Sequence, residues 1–324
     1  MSWIANITIT CFLASYAVAL GLEVSRLYFR SGVRGALMLG FGAAGLFAHT
    51  LYLVHRAQVE ATTPLASEFD FYLVSAWVLA ALYLYLTVYH SHNPIGLFLL
   101  PLVILFVAGA AMFADPRPFP RDTATRWWGL VHGVCLLLGT VSVTIGFVTG
   151  CMYLLQARRL KKKLPPGAGL RLPSLEWSQK MNSRTIGLAV LMLLGGFLSG
   201  LVLNMNRRTH GEAVPWTDPV ILSSSVLVGW MVAAWLFSIF YKPAQVGRKI
   251  AYLTVASFVF LLIALVSILM PTEHGNAPVS AERESKMQDA RYKMQDGFHA
   301  SYILHPVSSI MHRASHLSHS GRAA

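Results

Sequence analysis

Eight stretches of the chain are apolar for long enough to cross a lipid bilayer as helices, and this constrains the fold more than any motif does. They run over about 4–22, 35–54, 70–89, 95–113, 128–155, 185–203, 220–241 and 250–270. A helix needs roughly 20 apolar residues to span the hydrocarbon layer. Inside that layer the backbone N–H and C=O groups must bond to one another, so a continuous helix is the natural form for each run. Composition agrees, because 55% of the 324 residues are hydrophobic and 12% are charged, against about 25% charged in soluble domains. The expected fold is an all-α integral membrane protein with about eight transmembrane helices in a single bundle. Residues 1–127 are read as an N-terminal four-helix half with an external loop, 128–270 as a second four-helix half, and 271–324 as an external, disordered tail.

The net charge of +12 would suit nucleic acid, but its placement argues for a membrane instead. Alternate loops share one side, and the first, third, fifth and seventh hold 14 of the 26 Lys and Arg residues. The three opposite loops hold 6, and the long C-terminal tail, whose charge counts little for orientation, holds the remaining 6. The basic excess marks the cytoplasmic side, so both termini are expected outside a cytoplasmic membrane. No Lys or Arg precedes the first run, which argues against a cleavable signal peptide. The basic loop 157–184, broken by Pro165, Pro166, Gly167 and Pro173, is expected to be drawn to anionic lipid or to dock a cytoplasmic protein.

No Asp, Glu, Lys or Arg lies near the middle of a run, which disfavours ion-coupled transport. No HExxH, GxSxG or Walker pattern appears, and Cys11, Cys135 and Cys151 show no CxxC spacing. The reading leans away from an enzyme. Two histidines fall inside runs. His49 lies about five residues below the outer end of the second, and His132 about four below the outer end of the fifth. At 1.5 Å per residue both would sit roughly 6–8 Å beneath the surface. Such imidazoles are either hydrogen-bonded within the bundle or paired on one metal or haem iron. Trp127, Trp128 and Trp216 mark the same external boundary, as an aromatic belt or as a shelf for a flat macrocycle. His312, His316 and His319 in the tail have metal-ligand spacing, but the Ser-rich segment reads as disordered.

These residues resemble a known family. The run WWGLVHGVCLLLGTVSVTIGFVTGCMYLLQARRLKKKLP is similar to the histidine-bearing span and basic exit of cytochrome c assembly proteins of the CcsA/HemX type. LPSLEWSQKMNSRTIGLAVLMLLGGFLSG, VPWTDPVILSSSVLVGWMVAAWLF and QVGRKIAYLTVASFVFLLIALVSIL follow in family order, the second where the family has its Trp-rich WWD motif. Here that motif keeps one Trp, Trp216, and Phe237 stands close to a family histidine.

The resemblance implies a haem-binding protein acting in cytochrome c maturation on the external face. Its cofactor would be haem b, with His132 and His274 on the iron, or His132 with His49, and with Trp216, Asp218 and Trp128 beside the ring. The implied partners are the lipid bilayer, a second cytochrome c assembly protein, apocytochrome c, and a cytoplasmic haem-synthesis enzyme at loop 157–184, with no nucleic acid. Two other readings stand beside it: a HemX-like interaction protein that modulates haem synthesis without binding haem, and a small-solute carrier.

Overall fold

In a computed structural model, residues 8–26, 32–59, 65–89, 94–119, 126–163, 172–209, 214–240 and 248–270 are described. They form eight helices and, among the described residues, no strand: α1 Ile9–Ser25, α2 Gly32–Val59, α3 Glu68–Tyr89, α4 Gly96–Phe113, α5 Arg126–Lys161, α6 Leu175–Thr209, α7 Pro219–Phe240 and α8 Arg248–Ile268. α2 through α8 are long and apolar enough to cross a membrane, while α1 is apolar but shorter. The chain is a multi-pass membrane protein. His274, His90, His92, His210, residues 165–167 and the tail with His312, His316 and His319 lie outside the described residues.

Residues up to Gly275 make one compact unit. Within it α1 packs on α2 and α4, and α3 on α2 and α4. The last four helices pair in the same way, α5 with α6 and α8, and α7 with α6 and α8. Contacts of α3 with α5 join the two sets, and one apolar cluster runs from Phe12 and Tyr16 through Leu99 and Phe106 to Met152, Met231 and Leu261.

The helices outrun the apolar runs where polar contacts hold their ends. α2 continues to Val59 because the Arg56 guanidinium, 2.7 Å from the Asp70 carboxylate, also donates to the Pro116 carbonyl at 2.8 Å and lies over the Phe69 ring. α6 starts ten residues before the apolar run, at Leu175, where Ser174 Oγ accepts the Trp177 N–H at 3.2 Å. The described residues of the basic segment 157–184 are therefore mostly helical. α5 carries Arg158, Arg159 and Lys161, and α6 carries Lys180 and Arg184. Cys11, Cys135 and Cys151 are free thiols.

Candidate functional site

Among the described residues α5 and α6 share the most extensive helix contact, and glycines let them approach. A Cβ on Gly139 would meet Leu193 at 2.7 Å, and one on Gly196 would meet Leu136 at 2.6 Å. Between membrane helices, where lipid is as apolar as leucine, such small-residue contacts carry the packing. Near the start of α5 the same device seats an imidazole. His132 Nδ1 lies 2.8 Å from the Gly196 carbonyl, and a Cβ on Gly200 would stand 2.8 Å from His132 Cε1. Ser199 Oγ donates to the same carbonyl at 2.8 Å and sits 3.4 Å from Nδ1.

The seat fixes the chemistry of the ring. A carbonyl only accepts, so Nδ1 carries the proton, and in the neutral ring Nε2 keeps its lone pair. This is the tautomer in which histidine binds a metal, with the far nitrogen held by a backbone oxygen. His132 is half-buried, five residues beyond the exposed Trp127 and four beyond Trp128.

His49 has a different environment. It is fully buried, its ring stacked on Phe12 with centroids 4.3 Å apart and planes within 3°, and its Nδ1 is 3.4 Å from the Tyr16 hydroxyl. Its Nε2 has no hydrogen-bond partner in the structure. His49 lies ten residues inside the end of α2 and His132 six inside the start of α5. The two rings sit in different seams, His49 against α1 and His132 against α6.

The Trp216 turn is built by residues that the sequence reading did not single out. Asn204, near the end of α6, takes the Val214 N–H on its Oδ1 at 2.9 Å and donates to the Val214 carbonyl at 3.2 Å. Arg208 lies over the Trp216 indole, 4.9 Å from the ring centre. Trp216 is half-exposed. Asp218 turns inward, where its Oδ1 accepts the Val220 N–H at 2.8 Å and its own N–H reaches the Pro215 carbonyl. It is the N-cap of α7, with Pro219 in the first helical position, which suits a residue lacking an N–H. Local sequence carried a signal for this cap, the Asp-Pro step, whereas nothing near Asn204 marks it out. Gly200 and Arg208 are eight residues apart on α6, so the imidazole seat and the indole are offset by roughly 12 Å along one helix. Among the described residues no three His, Cys, Asp or Glu side chains gather to hold a metal ion.

Comparison with known proteins places these features in a family. The model of the family described as cytochrome C assembly protein matches residues 65–273. The chain belongs to the cytochrome c assembly protein family. It is also similar to Protein HemX of Brevibacillus brevis, 24% identical over 280 residues that cover 84% of this chain and 97% of that protein. No solved structure matches the chain. The matched region includes α3 through α8, the His132 seat and the Trp216 turn. The protein is thus a multi-pass membrane protein with a haem-related role in cytochrome c maturation.

Proposed function

We propose that this protein binds haem b at the external face of a cytoplasmic membrane during cytochrome c maturation, with both termini on that face. The observation that carries the reading is the His132 seat. One ring nitrogen is tied to the Gly196 carbonyl at 2.8 Å, and the ring is wedged by Gly200. That arrangement suits an axial ligand, since a fixed tautomer and a fixed ring plane are what second-shell contacts supply to a metal-bound histidine. His274 would be the second ligand. It lies six residues past the end of α8. His49 is the alternative, supported by its unpartnered and fully buried Nε2. Trp216 and Trp128 would flank the ring, and Asp218 would act by holding the Trp216 turn.

Haem is then cargo. The work of the protein is to bind, orient and release it, and no proton transfer or covalent step is asked of any residue. A second assembly protein and apocytochrome c would complete the pathway at the same face.

The test is the absorption spectrum of the detergent-purified protein before and after adding haem. A haem band is expected, weakened in His132→Ala. A colourless protein that takes up no added haem would sink the reading.

One feature favours a second reading, in which the chain modulates a cytoplasmic haem-synthesis enzyme without binding haem. The ends of α5 and α6 carry a concentrated basic surface, with Arg158 and Lys161 to Lys163 exposed. Neutralising those residues would then abolish the phenotype while His132→Ala would leave it intact.

A further inference from the structure

Helices α7 and α8 do not close on each other along their whole length. Near mid-span they are tied by the Trp230 indole N–H, which donates to Ser257 Oγ at 3.1 Å, and by Trp230 against Phe260, 4.9 Å between ring centres. Below this tie, toward the end of α7 and the start of α8, a cavity of about 540 Å³ opens. Trp230, Phe237 and Tyr252 form its aromatic walls, and Ala233 and Ala256 leave the room that larger side chains would fill. Lys249, in the first turn of α8, is the one charged residue among the described residues that line it.

Three features of the cavity point to one kind of occupant. It opens outward, for Tyr252 is 50% exposed and Phe237 36%, which in a membrane helix means exposure to lipid. An empty void there would forfeit the dispersion contacts of its lining. Its charged mouth lies at the α7–α8 end, on the basic side of the protein, where exposed Arg248 adjoins Lys249. The first-turn N–H groups of α8 point to the same end, where a helix favours negative charge.

We infer that the α7–α8 groove is a binding site for an anionic glycerophospholipid of the basic-side leaflet. One acyl chain lies along Trp230, Ala233 and Tyr252, and the phosphate sits at Lys249 and Arg248. Basic pockets between membrane helices on the cytoplasmic side recognise anionic headgroups in this way. This site lies at the opposite end of the bundle from His132 and does not depend on haem binding.

The experiment is native mass spectrometry of the full chain, released from detergent after incubation with equimolar phosphatidylglycerol and phosphatidylcholine of identical acyl chains. Preferential retention of one phosphatidylglycerol is expected. Lys249→Gln should reduce that preference about fivefold, the effect of one basic residue near an anionic surface. Ala256→Leu, which fills the groove, should reduce retention of both lipids, with unchanged thermal unfolding showing that the variant is folded. Should Ala256→Leu unfold, Ala233→Leu tests the same wall. Equal retention of the two lipids, or a preference untouched by both Lys249→Gln and groove filling, would overturn the assignment. So would displacement of the retained lipid by added haem, which would give the groove to a tetrapyrrole instead.

Discussion

His132 shows how little a residue's type says until its neighbours are known. A histidine inside an apolar run is either a satisfied polar group or a ligand, and the Gly196 carbonyl at 2.8 Å makes it one that is held while its second nitrogen keeps a lone pair. Gly200→Ala is therefore an incisive change. The new methyl would press on the ring, whose Cε1 is 2.8 Å from that position. Loss of such support for a metal-bound histidine lowers affinity about 10–100-fold, so haem titration should show weakening of that order while the helical content by circular dichroism stays unchanged. Asp218 allows a contrasting prediction. Its carboxylate caps α7, so Asp218→Ala should cost about 1 kcal/mol in unfolding, and Asp218→Asn, itself a good cap, much less. A direct contact with haem iron or its macrocycle would instead appear as a spectral change in Asp218→Asn.

At the scale of elements, the centres of the helices were legible and their ends were not. Each of the eight predicted runs corresponds to a helix because about 20 consecutive apolar residues admit little else in a bilayer. The ends depend on partners far away in sequence. Nothing local says that HRAQV continues α2; the Asp70 carboxylate and the Pro116 carbonyl decide it. Removing that pairing should be costly, since the Arg56 and Asp70 side chains are only 12% and 9% exposed and an orphaned buried charge costs about 3–5 kcal/mol. Asp70→Ala is expected to lower the denaturant midpoint sharply, and an unchanged midpoint would show that water replaces the carboxylate. Of the candidate site, the histidine and the tryptophans were readable from type and depth. The α6 residues that seat them, Gly196, Ser199, Gly200 and Asn204, were not, because the first three act through the register of α5 against α6 and Asn204 through the return of the chain to Val214.

For the whole molecule, the distribution of basic residues predicts that the C-terminus lies outside. Alkaline phosphatase fused after Ala324 should be active and a fluorescent protein fused there dark; the reverse pattern would invert every side assigned above. A long-range hydrogen bond also joins the two sets of four helices. The Tyr72 hydroxyl of α3 donates to the Leu265 carbonyl in the last turn of α8 at 2.6 Å, satisfying one of the acceptors that a helix end leaves open. The chain continues from that turn toward His274, six residues beyond Ile268. Six residues reach at most about 20 Å, so His274 is on a short leash, and Tyr72 anchors the post to which the leash is tied. Tyr72→Phe should therefore loosen haem binding from a position that touches no ligand, while adding residues between Ile268 and His274 should relax the dependence on Tyr72. A tyrosine of the first half would thus set the search radius of a histidine that follows the second.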